Sequence, residues 1–118
     1  MKLNSLYVTA RDYDRAVSWY RDTLFGRSPD STTDRFAFWD LDGVKFGVFN
    51  PEITGAEVEF GDNCVPNIEV DDVDALHARL RAEGVEVVMD LNEVNGTRIF
   101  QVRDSEKNVL EFYAWTQE

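Results

Sequence analysis

The sequence predicts an α+β fold in which two copies of one strand–helix–strands module share a core. Three observations carry this. The chain has 118 residues, the size of one domain. A strand, an aspartate, an amphipathic helix and a closing glycine occur in order from Leu3 to Gly26 and again from Val65 to Gly84. Alternating apolar segments follow each helix. The domain runs over 1–118, with module 1 at about 1–56 and module 2 at about 57–118.

In the first module, Leu3 to Ala10 reads as a strand. Asp12 caps a helix that carries Ala16, Val17, Tyr20 and Leu24 at helical spacing and stops at Gly26. Arg35 to Leu41 and Val44 to Phe49 are strands joined at Asp42-Gly43. Asn50 to Asn63 is the connection, and its acids Glu52, Glu57, Glu59 and Asp62 predict exposure. In the second module, Val65 to Val70 is a strand and Asp72 caps a helix with Val73, Leu76 and Leu80 on its apolar stripe. Asp14 and Asp74 add negative charge to the first turns, where the helix dipole favours it by ~0.3–1 kcal/mol each. Strands then run over Val85–Met89, Thr97–Arg103 and Val109–Ala114, with reversals at Asn95-Gly96 and Asp104 to Asn108. Asp71, Asp72 and Asp74 fit helix capping without invoking calcium.

Composition excludes several classes of function. Twenty-three acidic residues against 12 basic ones give a net charge of −11, and the scattered Lys and Arg form no stripe for a phosphate backbone. Nucleic acid and anionic membranes are therefore not expected partners. No apolar run is long enough to span a bilayer, and Met1 to Ser5 lacks the charged-then-apolar order of a signal peptide. Cys64 is the single cysteine, so no internal disulfide forms and the cytoplasm is the expected compartment. One histidine, His77, and that cysteine cannot build a nucleophilic triad.

Val8 to Gly26 (VTARDYDRAVSWYRDTLFG), Ile68 to Leu76, Ala82 to Val85 and Arg103 to Phe112 (RDSEKNVLEF) together resemble the vicinal-oxygen-chelate superfamily. That group holds glyoxalases, bleomycin-resistance proteins and extradiol dioxygenases. The resemblance implies two βαβββ modules whose mixed sheet curls around a concave cavity, with helices on the convex side. It also implies a homodimer. Ser105 and Lys107 replace the Pro and Gly usual in the family's last turn. A left-handed lysine costs ~1 kcal/mol, so a changed turn shape is expected there.

The resemblance further implies metal-ligand slots, which fall on Ser5, Gly47, Val65 and Glu111. Only Glu111 is a credible ligand, and a catalytic divalent site needs about three. No metal and no other cofactor are therefore expected. By strand alternation, Tyr7 and Thr9 share a face, as do Asn67 with Glu69 and Glu111 with Tyr113. With Phe46, Trp39 or Phe38 near by, these residues have the composition of a ligand pocket. The expected function is metal-free binding of a cationic or aromatic small molecule, as in the bleomycin-resistance branch. The alternative is a glyoxalase- or dioxygenase-like enzyme with an atypical metal site around Glu111.

Overall fold

A computed structural model describes residues 3–55, 57–61 and 63–116. The chain divides into two compact units, Met1–Asn63 and Cys64–Glu118. Each carries one four-stranded mixed sheet. Neither sheet closes into a barrel. The fold is α+β with a repeated module, as the sequence predicted. No helix among the described residues is long and apolar enough to cross a membrane.

In the first unit the order is β1 (Ser5–Thr9), α1 (Tyr13–Ser18) with a π-helical continuation (Trp19–Phe25), β2 (Ser31–Thr32), β3 (Phe36–Leu41), β4 (Val44–Phe49) and the single turn α2 (Pro51–Thr54). The sheet order is β1-β4-β3-β2, with β1 parallel to β4 and the other pairs antiparallel. Asp12 caps α1 by accepting the backbone N–H of Arg15 at 3.1 Å. Ala16, Tyr20 and Leu24 are buried. Their interval of four exceeds the 3.6 residues of an α-turn, and the wider π winding keeps them on one side. The two-residue β2 had no sequence signal beyond Ser31 and Thr32.

The second unit runs β5 (Asn67–Glu69), α3 (Val73–Ala82), β6 (Val87–Val94), β7 (Thr97–Arg103) and β8 (Val109–Trp115), in sheet order β5-β8-β7-β6. Asp72 caps α3 through the Ala75 N–H at 3.0 Å. Leu80 and Val73 of α3 are buried, as are Phe100, Val102, Leu110 and Phe112 of β7 and β8. Asp42-Gly43 and Asn95-Gly96 turn with positive φ at both residues, the twist that two-residue hairpins require. Glu52, Glu57 and Glu59 are exposed as expected; Asp62 lies outside the described residues.

The last turn departs from expectation. Lys107 keeps the left-handed conformation, with φ of 73°. The buried Asp104 explains why the strain is tolerated: its Oδ1 accepts the N–H groups of Glu106 (2.7 Å) and Asn108 (2.9 Å), and its Oδ2 accepts the Asn108 amide (2.9 Å). A turn bonded this closely at its base fixes the backbone whatever side chain sits at its tip. Lys107 also reaches Glu86 at 3.2 Å.

Candidate functional site

Each sheet has one face under its helix and one face turned away from it. In the second unit, parallel pairing sets Asn67 opposite Glu111 and Glu69 opposite Tyr113, while antiparallel pairing sets Gln101 opposite Glu111 on the other side. All five side chains stand on the face away from α3. Glu111 is half-buried, and both its oxygens are occupied. Asn67 donates its amide N–H to Oε1 at 2.7 Å and Gln101 donates to Oε2 at 2.8 Å. The Tyr113 hydroxyl donates to Glu69 at 3.0 Å, which holds the Tyr113 pKa above its ordinary value, with desolvation and the Glu69 charge adding to the effect.

Next to these groups lies a shallow cavity of about 280 Å³ lined by Asn67, Thr97, Ile99, Tyr113 and Trp115. Trp115 is 61% exposed, and its ring meets Tyr113 edge-on at 5.9 Å. Thus Asn67, Glu69, Glu111 and Tyr113, expected from the sequence, come together. Gln101, Ile99 and Trp115 join them unannounced. Trp115 was visible as the next residue of the Glu111, Tyr113 alternation, whereas Gln101 needed the strand register.

In the first unit the corresponding positions are aromatic. The register places Tyr7 and Phe38 on either side of Gly47, as Asn67 and Gln101 flank Glu111. Tyr7, Phe36 and Phe49 form mutual ring contacts at 4.9–5.4 Å, and Phe38 stacks on Phe36 at 5.2 Å. Tyr7 stays 52% exposed. Thr9 lies at the end of the same face, opposite Phe49.

Trp39 and Phe46 require correction. They are expected in the pocket but point to the helix side, where they are 0% and 2% exposed. There they pack with Tyr20 and Phe25, and the Trp39 indole donates to the Arg27 carbonyl at 2.9 Å. Pairing of Trp39 with Phe46 puts both in one phase of the pleat, opposite to Phe38 and Gly47. They are core residues.

Comparison with known proteins agrees with this geometry. The family described as "Glyoxalase/Bleomycin resistance protein/Dioxygenase superfamily" matches residues 67–112. TioX from Micromonospora sp. ML1 is similar over 98% of this chain and 99% of its own, with 29% identity and a TM-score of 0.71. The match to the family model covers the second unit from β5 into β8, and the likeness to TioX runs over the whole chain. A glyoxalase/bleomycin resistance protein/dioxygenase from Nocardioides shares the fold at TM-score 0.77, with 22% identity over 99% of this chain and 85% of that one. Lactoylglutathione lyase from Agrobacterium tumefaciens does so at 0.76, with 20% identity over 96% and 92%. No curated protein matches the sequence.

The metal implied by this superfamily finds a poor fit in these residues. Ser5 and Gly47 lie on the sheet of the first unit and supply no carboxylate or imidazole; Val65 is an exposed apolar residue ahead of β5. Glu111 is turned to two amide donors, which compete for the lone pairs an ion would use. Among the described residues no three His, Cys, Asp or Glu side chains converge. His77 sits on the helix side of the second unit's sheet: its ring packs on Phe100 at 5.1 Å and its Nε2 meets Asp90 at 2.7 Å. Cys64 is exposed ahead of β5.

Proposed function

We propose that this protein is a member of the glyoxalase/bleomycin resistance/dioxygenase superfamily that binds an aromatic small molecule by stacking, without a metal ion. One observation carries the reading: the position matching Glu111 in the first unit is Gly47, and the Phe38 ring lies over it beside Tyr7, Phe36 and Phe49. A carboxylate slot has become part of an aromatic wall. Aromatic faces supply large contact area and offset or edge-on contacts worth about 0.5–1.5 kcal/mol per ring pair.

The test is a thermal-shift and calorimetric titration against a panel of planar aromatic compounds, with and without EDTA. Saturable binding that EDTA leaves unchanged is expected, with stabilisation of about 2.7 kcal/mol at a hundredfold excess over Kd. A panel that moves neither melting temperature nor heat overturns the reading. So does a stoichiometric divalent ion whose removal abolishes binding.

A further inference from the structure

Two hairpin tips of this chain have the same backbone and different surroundings. Asp42-Gly43 joins β3 to β4 and Asn95-Gly96 joins β6 to β7, and all four residues are exposed with positive φ. At the first tip the Gly43 N–H donates to the Asp40 carboxylate at 2.9 Å, and both strands are flanked by neighbours within the sheet. At the second tip the Gly96 N–H has no acceptor among the described residues, and nothing lies within 4 Å of where a Gly96 Cβ would stand. β6 is an edge strand, and register shifts between Val87 and Met89 and between Met89 and Asn92 interrupt its ladder. Beyond the last shift only Asn92, Glu93 and Val94 pair with β7. A ladder that short and one-sided opens at little cost. Asn95 is also the chain's only asparagine followed by glycine.

We propose that Asn95 deamidates spontaneously in the folded chain and forms isoaspartate, and that Asp40 holds Asp42 out of the corresponding reaction. The Gly96 nitrogen attacks Cγ of Asn95. Its proton is lost, the new N–Cγ bond closes a succinimide ring, and the side-chain nitrogen leaves as ammonia. Water then opens the ring. Cleavage of the new N–Cγ bond gives aspartate, and cleavage of the original peptide C–N bond gives isoaspartate, with Cβ and Cγ in the main chain. Glycine favours the attack because no Cβ screens its nitrogen. At Asp42 the nitrogen that would attack is tied through its hydrogen to Asp40, which holds that peptide out of the attacking orientation. The consequence of a converted Asn95 reaches the end of β8. Thr116 donates both its N–H and its hydroxyl to the Gly96 carbonyl, at 2.9 Å each. One extra main-chain carbon before Gly96 displaces that carbonyl, and Trp115, paired with Thr97 beside the turn, reports the change.

The experiment incubates the full chain in mildly alkaline buffer, folded and in urea, and reads digests by mass spectrometry with isoaspartyl-specific labelling. Asn95 should convert before any other asparagine, with isoaspartate in excess over aspartate. Its folded rate should lie within about tenfold of the rate in urea, the factor set by an opening free energy of about 1.4 kcal/mol. In the converted fraction the Trp115 indole N–H should move by NMR. Asp42 should isomerise in urea and stay intact in the folded chain. Asp40→Ala, checked for an unchanged melting temperature, should let Asp42 isomerise in the folded chain as well. A folded Asn95 rate more than about tenfold below the urea rate, or aspartate as the sole product, overturns the site. An Asp40→Ala chain that is folded and keeps Asp42 intact overturns the protective role of Asp40.

Discussion

The ring of Phe38 occupies the space a side chain at Gly47 would need: a Cβ built there stands 2.5 Å from Cε1 and 2.7 Å from Cδ1 of that ring. A methyl at 47 must push the ring away and so break its stack on Phe36. Gly47→Ala should therefore cost about 1–2 kcal/mol by chemical denaturation. With Phe38→Ala in place the same change should cost nothing or stabilise, because a strand interior favours Ala over Gly. Additive effects in the double-mutant cycle would show that the ring and the glycine are independent.

Tyr113 gives a titration signature. The hydroxyl donated to Glu69 raises its pKa in the folded chain above the ordinary 10.0. A raised folded value means that the stabilisation is complete below the unfolded pKa and is lost as pH rises through the folded one. Phenolate absorbance should show Tyr113 ionising above the ordinary tyrosine midpoint. Glu69→Gln should bring its midpoint back toward 10, since the charge that opposes the phenolate is gone.

Acid should reveal Asp90. Its carboxylate accepts the Leu91 N–H at 2.9 Å and meets His77 at 2.7 Å, with Arg81 at 3.7 Å, and these hold its pKa below the usual range, the backbone bond most of all. A lowered folded pKa adds stability that is present above about pH 4 and disappears as pH falls through the lowered value. Asp90→Asn should melt earlier than the parent at pH 7. The two curves should converge as the buffer falls below pH 4.

The turn at Lys107 separates conformation from charge. Ala at 107 retains the left-handed cost and loses the Glu86 contact, while Gly removes the cost. Lys107→Gly should be more stable than Lys107→Ala by about 1 kcal/mol in denaturant titrations. Asp104→Ala should be the most damaging change in the turn, about 2–4 kcal/mol, since it leaves two buried backbone N–H groups without their acceptor.

Where polar and apolar residues alternated, the sequence showed which way side chains point. Asn67-Ile-Glu69 and Leu110-Glu-Phe-Tyr113 have one oily phase each, so their faces were legible before any coordinates. Phe36-Ala-Phe-Trp39 is apolar in both phases, and nothing local decides whether Phe38 or Trp39 faces the helix. The packing of Tyr20 and Phe25 decides it, and those contacts are long-range. Gln101 was hidden for a related reason. Its role comes from lying opposite Glu111 across β7 and β8, and pairing register is not written in either strand alone. Lys107 was misjudged because the bonds that hold its backbone come from Asp104, three residues earlier.

The underwound segment from Trp19 to Phe25 holds slack that an ordinary α-helix lacks. Excising one solvent-side position, such as Asp22, would let the remaining residues rewind with the tighter 13-atom rings of a regular helix. The α3 helix of the second unit, wound at the regular pitch, has no such reserve, and losing a residue there would rotate Leu80 off the core. Length variation in this protein is therefore cheapest inside a helix, a place where insertions and deletions are ordinarily forbidden.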